Sequence, residues 1–327
     1  MLYLNSTDIK SLFTMSEAIE SDKEAFILET NKNTQIPVRI NFDVAGKGIS
    51  SFMPGYLPTY PQVGIKIVST YPSNAEKGLP AVGATVLLLD PETGFVNAVL
   101  DGTELTRLRT GAVSGCATDA LANKDAEKFA LFGTGGQAYS QLEAVLTVRK
   151  IKSVYVYDKL EDRIPAFIER AKEMAEKFGA CLIQAKSPDE AVDEADVITT
   201  VTTSCEPVFD GNKIKQGVHI NAVGVFLPFK RELDENVLNR ADKIFIDNWD
   251  AIMSEAGDFL IPMKEGKFSK DRINGELGDL LVGKSEGRTA KEQITLMKTV
   301  GFATLDIVIA NKVYNKAVAV GAGTNLQ

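Results

Sequence analysis

Between Asp125 and Asn248 short apolar runs alternate with amphipathic stretches, and this alternation constrains the fold more than any other feature. "KFALFG" (128–133), "SVYVYD" (153–158), "ACLIQA" (180–185), "DVITTVTT" (196–203), "VHINAVG" (218–224) and "KIFIDN" (243–248) read as strands. Helical segments separate the first four, at "GGQAYSQLEAVLTVR", "RIPAFIERAKEMAEKFG" and "SPDEAVDEA", the last capped by Ser187. Strands joined by helices imply βαβ units and a parallel sheet covered on both faces.

The first strand runs directly into a glycine cluster. Gly133, Gly135 and Ala138 match G-x-G-x-x-A, placed after a strand and opening a helix. The first glycine permits a tight turn, the second lets backbone approach a pyrophosphate, and the alanine allows close helix–strand packing. Alone, the motif is as consistent with an ordinary strand–helix turn. Asp158 tips the balance, because it ends the second strand 22 residues after Gly136. A carboxylate there bonds the adenosine ribose hydroxyls and repels a 2′-phosphate, favouring NAD(H) over NADP(H). Lys159 and Arg163 weaken that preference without reversing it. The sole histidine, His219, sits inside the fifth strand and reads as a packed strand residue.

The N-terminal third has another pattern. After a helix around Ser16 to Glu29, the runs "ISSFM", "VGIKIVST", "GATVLLLD" and "FVNAVL" describe a mostly antiparallel β region, with "PETG" as a turn. "LTRLRTGAVSGCATDALA" (105–122) reads as a helix rich in small residues. Near the C-terminus, Phe302, Leu305, Ile309 and Val313 share one helical face. The simplest architecture has two domains, with the last helix returning to the N-terminal part.

Composition removes several classes of partner. A net charge of −8 without a basic block argues against nucleic acid and anionic membranes. The longest apolar run, "AVGATVLLL" (81–89), is too short to span a bilayer. "MLYLNSTDIKSLF" lacks a basic n-region and a cleavage-type site, so no signal peptide is expected. Cys116, Cys181 and Cys205 are far apart, which suits a reducing, cytoplasmic setting. One histidine excludes a His-built zinc site, and no metal is expected.

Three cations stand in apolar or small-residue surroundings: Arg39 in "QIPVRINF", Lys66 in "VGIKIVST" and Arg109 in "LTRLRTGAVSG". Each alone reads most simply as a solvated surface charge. Together they form a set able to hold a carboxylate, with two arginines depressing the pKa of Lys66 toward neutrality.

These segments carry a family resemblance. "PVRINF", "GIKIVSTYPSN", "GLPAVGATVLLLDPETG", "LTRLRTGAVSGCATDALA", "GTGGQA", "HINAVGVFLPFKRELD", "GELGDLLVG" and "TLMKTVGFATLD" occur in an order that resembles the ornithine cyclodeaminase/mu-crystallin family over nearly the whole chain. The resemblance implies an α/β protein: a Rossmann-type parallel-sheet NAD-binding domain (119–301) and a discontinuous α+β substrate and dimerisation domain (1–118 with 302–327). It implies a homodimer and a small amino- or imino-acid substrate. Arg39, Lys66 and Arg109 match carboxylate-binding positions, Lys66 being the catalytic candidate, and Val300 matches a pocket-lining one. Gly136, Gln137, Asp158, Lys230, Thr299 and Thr200 match dinucleotide contacts. Gly133 and Gly135 of the turn, Val223 and Gly224 of "NAVG", and Arg109 complete the candidate cofactor set.

The chemistry implied is hydride exchange at an α-carbon bearing nitrogen. Two departures shape the expectation. Ornithine cyclodeaminases and archaeal alanine dehydrogenases carry an aspartate two residues after the glycine of "NAVG", where this chain has Phe226. Ala81 replaces the threonine usual after "GLP". Phenylalanine cannot shuttle the protons that cyclodeamination requires, whereas an iminium that binds protonated mainly needs hydride. The expected activity is therefore NAD(H)-dependent reduction of a cyclic ketimine such as Δ1-pyrroline-2-carboxylate, or a related amino-acid dehydrogenation. Ornithine or lysine cyclodeamination is the alternative, followed by non-catalytic, mu-crystallin-like ligand binding.

Overall fold

The computed structural model describes residues 1–326; Gln327, the last residue of the expected 302–327 segment, lies outside them. The chain divides into two compact units, Met1–Arg109 with Phe302–Gln327, and Thr110–Gly301. The division falls within the helix Gly102–Leu121, as does the 118/119 boundary expected from sequence.

The first unit is built on β1 (Leu2–Leu4), β2 (Ile40–Asp43), β3 (Ile49–Leu57), β4 (Gln62–Thr70), β5 (Val82–Leu89) and β6 (Val96–Asp101). The second holds β7 (Lys128–Phe132), β8 (Ser153–Tyr157), β9 (Cys181–Gln184), β10 (Val197–Thr200), β11 (His219–Ala222), β12 (Lys243–Ile246), β13 (Gly275–Glu276) and β14 (Thr295–Lys298). A last strand, β15 (Thr324–Asn325), rejoins the first sheet.

In the first unit the order is β15-β1-β6-β5-β4-β3-β2, with β2 to β6 antiparallel to their neighbours. Only β1 and β6 run parallel. The helix Met15–Thr30 opens with a reciprocal cap: Thr14 accepts from the Glu17 N–H, and the Glu17 carboxylate accepts from the Thr14 N–H. It packs against the final helix, Ala303–Val320, through Phe26 and Phe302, whose ring centroids are 5.5 Å apart, and the pair is tied by Lys316–Glu17.

A glycine pair lets the final helix lie close to the sheet. Gly55 on β3 and Gly64 on β4 are register partners. A Cβ at Gly55 would come within 2.7 Å of the Ile307 side chain and one at Gly64 within 3.2 Å. A side chain at Gly55 would also crowd Ile36, and one at Gly64 the Leu87 carbonyl, so the two glycines keep the room that Ile307 occupies.

The second unit's sheet is parallel throughout, in the order β13-β12-β14-β11-β10-β7-β8-β9. The central strands β7, β10, β11, β14 and β12 are buried on both faces, whereas the edge strand β9 has exposed ends. On β7, Phe129 and Leu131 join a core with Val154, Val145 and Phe167, while Ala130 and Phe132 join another with Ile198, Ile220 and Leu296. Sequence reading had six of these strands and none at β13 or β14, although β14 lies between β11 and β12. Among the described residues no helix is long and apolar enough to cross a membrane.

Candidate active site

Lys66 lies at the centre of β4, in register with Met53 on β3 and Val86 on β5. Alternation turns it, with Gly64, toward the face on which Ile307 of the final helix packs. Its side chain is buried, and so is that of Arg109. The surface-charge reading of these two cations is thereby excluded. Arg39 immediately precedes β2, close enough for its charge to act on Lys66.

The residue that unites the cations escaped the sequence reading. Asp306, in the first turn of the final helix, is fully buried. Its Oδ2 stands 2.6 Å from Lys66 Nζ, and its Oδ1 accepts from Arg109 Nε at 3.0 Å. A signal was available: Asp306 falls on the apolar stripe of Phe302, Leu305 and Ile309, where an acid must find a partner.

Burial pulls the Lys66 ammonium down to about 7, Arg109 pulls the same way, and Asp306 opposes them, with a smaller downward pull from Arg39. Burial alone would raise Asp306, but Arg109 and Lys66 outweigh it and hold the carboxyl below its ordinary value. The cluster thus carries excess positive charge, a fixed arginine and a lysine able to exchange a proton at neutral pH. A second acid stands near. Asp22, on the helix Met15–Thr30, is fully buried with both oxygens unbonded, and burial pushes its pKa well above the ordinary value against the pull of Arg109.

The second unit holds the glycine turn. Gly133 has φ +103°, and a Cβ there would come within 2.8 Å of the Val201 carbonyl oxygen, so the fold itself demands glycine. Gly135 and Gly136 differ, since a Cβ at either would meet nothing within 4 Å. Nothing in the protein excludes side chains there. The open approach to the start of the helix Ala138–Val148 is the space a pyrophosphate requires, so the turn fits a dinucleotide. Gln137 stands half-buried at the helix start. Asp158 follows β8 and accepts from the Thr134 N–H and hydroxyl at 2.8 and 2.7 Å, which fixes the carboxylate beside the turn.

At the carboxyl ends of the neighbouring strands lie Thr200, Val223 and Gly224, with Lys230 donating to the Thr203 carbonyl. Thr299 and Val300 sit on a loop gripped by Asp247: one carboxylate oxygen accepts from the Thr299 hydroxyl at 2.7 Å and from the N–H groups of Val300 and Gly301 at 2.8 and 2.6 Å. His219 is buried in β11 between Thr295 and Asn221, and burial lowers its pKa to about 3, which leaves it neutral and structural. Among the described residues no group of histidine, cysteine and acidic side chains is arranged to hold a metal ion.

These features define an α/β protein with a buried cation cluster in one unit and a dinucleotide-type turn in the other. The chain belongs to the ornithine cyclodeaminase/mu-crystallin family, whose model matches residues 2–321. It is 36% identical to a Δ1-pyrroline-2-carboxylate reductase of Bacillus cereus over the full length of both chains. The solved Δ1-pyrroline-2-carboxylate reductase of Thermococcus litoralis, in complex with NADH and L-proline, superposes with a TM-score of 0.95 at 39% identity, again over all of both chains. An archaeal alanine dehydrogenase, solved as a dimer with bound NAD, superposes at 0.92 with 34% identity, covering all of this chain and 99% of its own.

Proposed function

We propose that the protein is an NAD(H)-dependent reductase of a cyclic 2-carboxy imine, with Δ1-pyrroline-2-carboxylate as the first substrate to test. The carrying observation is the Lys66–Asp306–Arg109 cluster, buried in a chain with full-length likeness to two such reductases. Arg109 commits Nε to Asp306, so its terminal nitrogens are the fork for the substrate carboxylate, joined by Arg39. Lys66, poised near neutrality, donates a proton to the imine nitrogen and recovers one from the amine in the reverse direction. Asp306 holds Lys66 and Arg109 in place and stabilises the protonated lysine. Gly135, Gly136, Gln137, Asp158, Thr200, Val223, Gly224, Lys230 and Thr299 would hold the dinucleotide, whose reduced form would provide the hydride that imine reduction needs.

The likeness to an alanine dehydrogenase supports a second reading, amino-acid oxidation by the same cluster run in reverse. Cyclodeamination ranks below both, because Phe226 offers no carboxylate for the extra proton transfers. NADH oxidation with Δ1-pyrroline-2-carboxylate, against pyruvate plus ammonia and against L-ornithine plus NAD⁺, separates the three. Stoichiometric NADH consumption with the cyclic imine is expected, and rapid ammonia release from L-ornithine without net NADH change would overturn the ranking. A homodimer is supported by edge strand β2, which is exposed along its length and presents Ile40 and Phe42, with Val38 and Val44 exposed on either side of it. A cytoplasmic setting is supported by the absence of any disulfide among Cys116, Cys181 and Cys205.

A further inference from the structure

The loops leaving the carboxyl ends of β10 and β11 meet on one buried carboxylate. Glu232 is fully buried and accepts from Thr202 N–H at 2.5 Å through Oε1, and from Gly224 N–H at 2.8 Å through Oε2. The Thr200 hydroxyl donates to Oε2 at 3.1 Å. Between these loops there is no room to spare, since a Cβ at Gly224 would lie 2.2 Å from the Thr202 carbonyl oxygen. The Glu232 backbone is anchored in turn. Asp258 Oδ1 accepts from the N–H groups of Glu232 and Leu233 at 2.6 and 3.0 Å, and Oδ2 pairs with Lys298 Nζ at 2.8 Å. Lys298 Nζ also donates to the Val225 carbonyl at 2.7 Å, so β14 closes the network onto the β11 loop.

All three side chains are fully buried, and when Glu232 is ionised two carboxylates face one ammonium, leaving a net negative charge. In a doubly wound sheet the first strand, its glycine turn and the acid after the second strand serve the adenosine half of a dinucleotide. The loops after β10 and β11 belong to the other half. We infer that Glu232 is a positioning residue that sets these two loops for the nicotinamide half and whose negative charge favours the oxidised, cationic ring. This rests on the dinucleotide-binding reading of the second unit.

The chemistry of the site explains why an acid stands there. Three donors converge on it, a task for an acceptor-only group; an amide would turn its NH2 against Thr202 or Gly224. Burial and Asp258 raise the Glu232 carboxyl to about 7, against the pull of Lys298. These are the charged groups that reach it, from the helix Gly257–Lys264 and from β14. Grip on the oxidised nucleotide should therefore strengthen as pH rises from 6 to 8.

Direct fluorescence titration with NADH, and competition by NAD⁺, at pH 6, 7 and 8 tests this on the whole protein and on Glu232→Gln, with thermal unfolding as the check on folding. In the unsubstituted protein NAD⁺ affinity should rise over this range more than NADH affinity does. Glu232→Gln should weaken NAD⁺ about tenfold, weaken NADH less, and flatten the pH dependence. Equal weakening of both nucleotides with an unchanged pH profile would reduce Glu232 to a structural contact and overturn the inference. So would pH-independent NAD⁺ binding by the unsubstituted protein, which needs no variant to fold. Failure of the unsubstituted protein to bind either nucleotide would instead refute the dinucleotide reading.

Discussion

Replacing Asp306 by asparagine removes the one negative charge between two buried cations, 2.6 Å from Lys66 and 3.0 Å from Arg109. Neither cation has enough solvent to replace it, as Lys66 is 1% and Arg109 7% exposed. Breaking a buried ion pair by removing one partner costs about 3–5 kcal/mol, and asparagine falls toward the lower end because its oxygen can still accept from Arg109. Its NH2 then faces Lys66 and favours the neutral amine. Loss of the opposite charge at hydrogen-bonding distance should therefore push the Lys66 ammonium further down. At pH 7 the protonated share falls, and imine reduction should slow by about 10- to 100-fold. The reverse reaction needs the neutral amine and should gain no more than about twofold. The assay is kcat/KM for NADH oxidation with the cyclic imine from pH 5 to 9, beside thermal unfolding. A folded variant with a pH profile superimposable on the parent's would refute the assignment of both Asp306 and Lys66.

Lys66→Met keeps most of the side-chain volume and leaves Asp306 paired with Arg109; turnover should fall about 10²-fold or more while NADH titration stays unchanged. NADH should bind more tightly than NADPH by roughly 1–3 kcal/mol, because Asp158 is fixed beside the turn where a 2′-phosphate would meet it; equal binding in a fluorescence titration would shift the weight to Lys159 and Arg163. Asp22 has a raised pKa in the fold, so its contribution is fully present below the ordinary carboxyl pKa of about 4 and is lost as pH rises toward the folded value. Asp22→Asn should therefore gain stability relative to the parent between pH 5 and 8, by up to about 1.4 kcal/mol per pH unit while the parent stays protonated; a constant gap in chemical unfolding would contradict it.

The parallel sheet was legible because strands buried on both faces are rich in apolar and β-branched residues, as "KFALF" and "VITT" are. β14 was missed for the opposite reason. Its "TLMK" ends on Lys298, and a lysine followed by Thr299 reads as the edge of a loop. In the fold that lysine is fully buried, because Asp258 and the Val225 carbonyl receive it from distant parts of the chain. No local pattern announces a partner 40 residues upstream. Asp247, which grips the Thr299–Gly301 loop through one oxygen, was hidden in the same way.

The cation cluster marks the boundary between what a pattern carries and what only packing supplies. Arg39, Lys66 and Arg109 were visible because charges in apolar runs are anomalous. Their convergence was not, since it depends on the final helix crossing β3 and β4 at short range. Gly55 and Gly64 create that approach, Ile307 occupies it, and its neighbour Asp306 is thereby set against Lys66. A side chain at Gly64 would act on chemistry without touching substrate. Crowding Ile307 would disturb the seat of its neighbour Asp306, the residue whose charge and hydrogen bond raise the lysine's pKa against burial. The two glycines thus belong to the same functional unit as the charges they bring together.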